Sequence, residues 1–303
     1  MNRDKQWFFQ AVKLVVLYFL IVIFAVLYLQ PILHMISLSF MSLADVVDPS
    51  TRWIPNYPTL DNLQEALGQM GILPQMGLPG RSVWEGLLTS TLLVSVLTAV
   101  PAALVQLFAC AVAGYAFGRC DFPFKRTLIV LLALTYVVPP QTVFIPMAWL
   151  NAQLGLLNNP LAFIVPSLFG HGLNGGLFVV IYMQFFRKIP KELEEAALID
   201  GANPYSVFFK IIFPLSKSAM VVVFLFSLVW HWNETFLTGI YYTRITTLAT
   251  QITQVNIPTQ EQMQAAMPVI MASGLLFVAP ILLIYLFTQR FFTQSIERAG
   301  LVE

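Results

Sequence analysis

The chain has 303 residues, of which 58% are hydrophobic and only 10% charged, with a formal net charge of +1 and a mean hydropathy of +0.76. Water-soluble domains carry about a quarter charged residues, so an ordinary soluble fold is excluded, while a net charge this small says nothing about nucleic acid or acidic partners. The two cysteines, Cys110 in an apolar run and Cys120 in a short basic loop, make no disulfide framework.

A helix that crosses the hydrocarbon core needs about 20 mostly apolar residues, and six segments qualify. The first runs from Lys13 to His34. Its unbroken apolar run from Leu14 to Leu29 is long for a signal-peptide core, and Gln30-Pro31-Ile32-Leu33-His34 is no small-residue cleavage site, so the span is expected to be retained. A polar segment rich in Pro, Gly and Asn follows, from Met35 to Val83, with room for short helices. The second span lies in the charge-free stretch between Glu85 and Arg119. The third and fourth share the charge-free stretch between Arg126 and Arg187, divided by a turn at Asn158-Asn159-Pro160. The fifth runs from Ser218 to Tyr242 and the sixth from Pro268 to Thr288. The fold class is therefore all-α, a polytopic membrane helix bundle. Residues 1–83 form the first helix with its outer segment, and residues 84–303 form a membrane core with a loop at 187–217.

Six spans put both termini on one side, with the loops after spans two and four. That side carries Arg3, Lys5, Lys13, Arg119, Lys125, Arg126, Arg187, Lys188, Lys191, Lys210, Lys217, Arg290 and Arg298; the other carries Arg52, Arg81 and Arg244. Cytoplasmic loops hold the excess of Lys and Arg, which places both termini in the cytoplasm of a bacterial inner membrane.

The loop between spans four and five carries the most specific pattern. Pro190 precedes a helix from Lys191 to Ile199 whose first turn holds Glu192, Glu194 and Glu195 near the positive end of the helix dipole. Gly201 is suited to the left-handed residue that ends such a helix. Asn203 and Pro204 are suited to cap and open the next one. On the first helix Glu192, Glu195, Ala196 and Ile199 share a face by three-and-four spacing. This acid-edged face with small alanines suits a protein partner. A helix resting on lipid is the alternative, disfavoured because the inner leaflet is itself negative.

The stretch Glu195 to Pro214 resembles the signature of binding-protein-dependent ABC importer permeases: E-A-A, three residues, G, nine residues, I, one residue, L-P. Here Glu195-Ala196-Ala197, Gly201, Ile211 and Pro214 match, and Phe213 replaces the usual Leu. The resemblance extends along most of the chain. It includes Gly114 to Arg119 with Phe122-Pro123, Val138-Pro139-Pro140 with Ile145-Pro146, Leu154 to Asn158, and Trp232-Asn233-Glu234. It is closest to the second, shorter permease of maltose-type carbohydrate importers. The tail departs from that group, ending Arg298-Ala299-Gly300-Leu301-Val302-Glu303.

The resemblance implies two cytoplasmic ATPase subunits, a second permease in a heterodimer, an extracytoplasmic solute-binding protein and surrounding lipid. ATP and Mg belong to the ATPases, since this chain has no G-x-x-x-x-G-K-[ST] loop and is expected to bind no cofactor itself. It further implies that Glu195 pairs with a basic residue of the ATPase, that Ala196 and Ala197 allow close approach, and that Gly201 and Asp200 set the turn, with Glu192 and Ile199 on the same surface.

A substrate path is a weaker expectation. His231, Trp232, Asn233 and Glu234 in span five are costly inside a membrane and suit a cavity, or else an interfacial aromatic belt. His171 and Asn174 in the patch Gly170 to Gly176 are positioned to touch a sugar, or the glycines there serve tight helix packing. No catalytic set and no metal-ligand spacing occurs. The rival readings are an ABC permease for another solute class and a secondary transporter.

Overall fold

The computed structural model describes residues 3–75, 82–255 and 263–300, and all regular structure among them is helical. Arg81 of the outer charge set and the tail residues Leu301, Val302 and Glu303 lie outside the described residues. Among the described residues three helices are long and apolar enough to cross a bilayer: Gln10–Ser39, Thr91–Arg119 and Ala265–Phe291. Pro204–Leu215 and Lys217–Trp232, bent by 76° where they meet, make a fourth if taken together.

The chain forms two compact units, Met1–Met70 with Val255–Ala279, and Gly71–Gln254 with Pro280–Glu303. The first contains α1 (Arg3–Ser39), α2 (Leu43–Val47) and α3 (Asp61–Gln69). Helix α1 covers the expected first span, and none of its most apolar 18-residue window is buried. The segment after α1 is held by local polar chemistry. Ser42 and Asp45 form a capping box on α2, and the Asp45 carboxylate also accepts the amides of Asn56 at 3.1 Å and Tyr57 at 3.0 Å. Asn62 closes the segment by donating to the carbonyls of Ser39 and Met41.

Burial pushes the Asp45 carboxyl up, but bonds from the Tyr57 amide, the Ser42 hydroxyl and the Asn56 and Ser42 amides outweigh it and hold the group below its ordinary value. A lowered folded pKa stabilises above the unfolded carboxylate value of about 3.9, and that stabilisation disappears as pH falls through the folded value. Protection of the Asn56 and Tyr57 amides, taken as exchange relative to the intrinsic rate at each pH, is therefore expected to fall on acidification in the wild type. In Asp45→Asn that protection should be low already at neutral pH, with little further loss on acidification; wild-type protection in that variant would overturn the assignment.

The second unit contains α4 (Val83–Leu87), α5 (Thr91–Arg119), α6 (Lys125–Val137), α7 (Pro140–Gln153), α8 (Leu161–Leu168) and α9 (Gly175–Lys188). It continues through α10 (Glu192–Ile199), α11 (Pro204–Val207), a π-helical turn at Phe208–Ile212, α12 (Phe213–Leu215), α13 (Lys217–Trp232), α14 (Phe236–Tyr241) and α15 (Leu248–Ile252). Helix α16 (Met263–Gly300) contains the expected sixth span.

Helix α5 is central and packs on α8, α9, α13 and α15. Its buried face carries, beside Val94, Gln106 and Leu107, the small residues Ser95, Thr98, Ala99, Ala102, Ala103, Ala111 and Gly114, which let neighbouring backbones come close. The expected third span is two helices, α6 and α7, because Pro139 takes an extended conformation between them and Pro140 opens α7. The expected fourth span is likewise two, α8 and α9, and the fifth is broken at Asn233–Thr235 between α13 and α14. The turn before α8 is built by Asn158 at φ 58°. Its side-chain oxygen accepts the amides of Thr243 at 2.7 Å and Arg244 at 2.6 Å. Cys110 and Cys120 are both free.

Candidate functional site

Helix α10 begins after Pro190 and the N-cap residue Lys191, with Glu192, Glu194 and Glu195 in its first turn. It ends as its composition dictates. The amide of Gly201 bonds to Leu198 O and that of Ala202 to Ala197 O, while Gly201 takes φ 84°, a conformation glycine adopts without strain. The Asp200 brace is made by its backbone, whose N–H reaches Ala196 O. Asn203 then caps α11 by accepting the Ser206 amide at 2.7 Å, with Pro204 at the first helical position.

The segment has two faces. Ala197, Val207, Phe208 and Ile212 point inward and join a core with Leu107, Ala111, Phe178, Tyr182, Phe186, Ala219 and Val223. Each large apolar group in this anchor contributes about 1.5–3 kcal/mol relative to exposure in water, so α10 and α11 are fixed to the bundle rather than laid loosely on it. Glu192, Glu195, Ala196, Ile199, Asp200 and Gly201 point outward. Ala197, grouped with this surface in the sequence, is 8% exposed and faces its own core, which leaves close approach from outside to Ala196. Leu193, Leu198 and Tyr205 add exposed apolar area around Ile199, which is 86% exposed.

The middle glutamate is turned the other way. Glu194 Oε1 lies 3.2 Å from Arg119 Nε, at the end of α5, with side-chain exposures of 17% and 4%. Arg119 also donates to the carbonyl of Ile189, the C-cap of α9. Sequence reasoning left Arg119 and Glu194 out of the site. The available signal was that Glu194 stands three residues before Ala197, on the face opposite the acidic edge.

The residues considered for a substrate path divide. His231 and Trp232 are 3% and 2% exposed. The His231 Nδ1 donates to Ser227 O at 2.8 Å, and its Nε2 is buried without a hydrogen-bond partner. Ser227 Oγ donates to Gln106 Oε1 at 2.6 Å, and Gln106 Nε2 donates to Leu173 O at 2.9 Å. That chain joins α13, α5 and the turn before α9, so His231 and the glycine patch share one neighbourhood. Asn233 is exposed and bonds its own helix at Val229 O. Glu234 accepts the Leu237 amide at 2.7 Å and so caps α14. His171 is exposed, and Asn174 is a left-handed N-cap of α9 at φ 55°.

The glycines of the patch are demanded by packing. A Cβ on Gly175 would lie 2.0 Å from Gly170 O, and one on Gly172 would lie 2.5 Å from Ser167 Oγ. Among the described residues no group of three or more His, Cys, Asp or Glu is placed to hold a metal.

Residues 107–298 match the family described as binding-protein-dependent transport system inner membrane component. The polygalacturonan/rhamnogalacturonan transport system permease protein YtcP of Bacillus subtilis is 29% identical over 293 residues, 92% of this chain and 94% of that protein. The trehalose transport system permease protein SugB of Mycobacterium tuberculosis is 27% identical over 265 residues, 86% of this chain and 88% of that protein. Among solved structures, a bacterial ABC transporter involved in the import of the acidic polysaccharide alginate shares the fold, with a TM-score of 0.69 and 22% identity, over 96% of this chain and 99% of that one. These relatives are transport permeases, not enzymes.

Proposed function

Because this chain belongs to the family of binding-protein-dependent transport system inner membrane components, we propose that it is one permease subunit of an ATP-driven importer of a sugar or oligosaccharide. In this reading it spans the bacterial inner membrane six times with both termini in the cytoplasm, a topology supported by the thirteen-to-three division of its 16 Lys and Arg. A second permease completes the pathway. Two cytoplasmic ATPases bind ATP and Mg, and an extracytoplasmic binding protein delivers the solute. The carbohydrate assignment is supported by the relatives, whose names specify polygalacturonan/rhamnogalacturonan and trehalose.

The observation that carries the reading is the two-faced segment at 187–217. Its outer face offers Glu192, Glu195, Ala196 and Ile199 to a partner, while its inner face is buried in the bundle. Closure of an ATPase dimer would draw two such segments together. A rigid anchor would then convert that motion into a tilt of the spans, from inward-open to outward-open. His231, Asn233 and Glu234 in span five, with His171 and Asn174 near the glycine patch, stand beside helix breaks, where irregular backbone in a membrane lines protein or water.

Affinity purification of the tagged chain from its own membranes tests this. It is expected to bring down an ATPase and a second permease, and reconstituted vesicles should accumulate a labelled oligosaccharide only with ATP and a binding protein. Accumulation driven by an ion gradient, with no ATPase in the complex, would overturn it.

A further inference from the structure

We propose that Arg119 and Glu194 form the joint through which movement of the docking helix α10 reaches the membrane bundle. The inference rests on the importer reading above and specifies how the docked segment is wired to the spans.

The path of the chain poses the problem. Only Ile189, Pro190 and Lys191 connect α9 to α10, and so short a link fixes the position of α10 more tightly than its orientation. A single guanidinium supplies the rest. Arg119 is the last residue of α5, reaches the carbonyl of Ile189 at the end of α9, and pairs with Glu194 in the first turn of α10. Three helix ends therefore meet on one side chain. Tyr115, one turn back on α5, packs its ring on Phe186 of α9 and on Phe208 in the turn after α11.

The receiving side is stiff. A Cβ on Gly114 would lie 2.4 Å from Tyr182 Cβ, and one on Gly118 would lie 3.1 Å from Met183 O. Helices α5 and α9 thus touch backbone to backbone at the end where Arg119 projects, and a displacement of that end moves both.

The chemistry suits a joint better than glue. A buried ion pair holds helices together no more tightly than apolar side chains of the same volume, but loss of one partner strands a desolvated charge. It favours one relative placement of its helices and resists the alternatives. The exposed Glu192 and Glu195, one turn apart on the opposite face, are left for the ATPase. Arg119 and Glu194 are positioning residues, which touch neither solute nor nucleotide.

The test uses the complete transporter in proteoliposomes, with three readings: ATPase co-purified, ATP hydrolysed, and solute accumulated per ATP. Arg119→Gln and Glu194→Gln are expected to retain the ATPase and hydrolyse ATP, while solute accumulated per ATP falls about 5- to 150-fold, the span of ordinary coupling between sites. The exchanged pair Arg119→Glu with Glu194→Arg should recover much of that loss. Wild-type accumulation per ATP in both single variants would overturn the joint. So would loss of the ATPase in step with transport, because the pair would then merely shape the docking surface. Should the single variants fail to accumulate in the membrane, the exchanged pair decides: restored protein with restored transport supports the joint, and restored protein without transport overturns it. Failure of the wild type to bring down an ATPase would instead bring down the importer reading and the joint with it.

Discussion

Replacing Gly114 with leucine is expected to abolish accumulation of folded protein in the membrane. The position is the tightest side-chain approach between α5 and α9. A Cβ there would lie 2.4 Å from Tyr182 Cβ, 3.0 Å from Met183 N and 3.1 Å from Val179 O. None of these is the far end of a flexible side chain, so relief requires the helices to separate. Adding even one carbon to a well-packed interior costs about 1–3 kcal/mol. Gly114→Ala should therefore survive with a lowered melting temperature, and leucine, with three more carbons against the same backbone, should not. Separation would also loosen the contact at Gly118 and the reach of Arg119 to Ile189. Gly239→Ala is the matched control, since a Cβ there meets nothing within 4 Å. Fluorescence-detected size exclusion of tagged variants, with a thermal ramp, reads both effects. A Gly114→Leu protein with wild-type yield and melting would show that the two helices do not touch as described.

The second large effect is expected at the outer face of α10. Glu195→Lys and Gly201→Asp should each abolish uptake while membrane insertion is kept. Glu195 is exposed and accepts no bond from the described residues, so reversing its charge leaves the fold intact and strikes the partner. Truncating one member of a buried interfacial charge pair costs about 2–5 kcal/mol, on the order of 30- to several-thousandfold in affinity, and reversal costs more. Gly201 acts by a different route. Its φ of 84° strains a side-chain-bearing residue by about 1–2 kcal/mol, but a Cβ there would meet nothing within 4 Å. The harm from aspartate therefore falls on the turn or on the partner rather than on packing. Gly201→Asn, which tolerates the left-handed region, separates the two: near-normal uptake assigns the glycine to the turn, and full loss assigns it to contact. Uptake measured against protein level in the membrane checks all three variants, and normal transport by Glu195→Lys would remove the docking role from this face.

What the sequence disclosed about this site was local in origin. The end of α10 at Gly201, the Asn203 cap, the Pro139 break and the turn at Asn158 each depend on one or two residues whose backbone preferences are strong. They were legible for that reason. The family signature was legible because it fixes residue types at long spacing. The direction each side chain faces was not. Three glutamates stand within four positions of α10, and only the fold decides that Glu192 and Glu195 face out while Glu194 meets Arg119, 75 positions earlier in the chain. The family resemblance groups Ala197 with Ala196 as a surface for close approach, yet one residue along a helix turns the side chain by about 100°. The Gln106–Ser227–His231 chain was hidden in the same way, since Gln106 and Ser227 are 121 residues apart in sequence. The breaks within the third, fourth and fifth spans were only partly visible, because hydropathy reports what the bilayer accepts and is indifferent to where a helix stops.

The bond from Ser227 to Gln106 bears on how the protein is made. Each group enters the lipid on a different helix, synthesised far apart in time, and an amide or hydroxyl facing hydrocarbon alone lacks the partners water gave it. The Nε2 of Gln106 meets Leu173 O ahead of α9, but its Oε1 has no serine to accept from until α13 is made. Pairs of this kind give helices that are individually content in the bilayer a reason to recognise one particular neighbour, so the late arrival of α13 closes a contact that α5 has held open since early in synthesis.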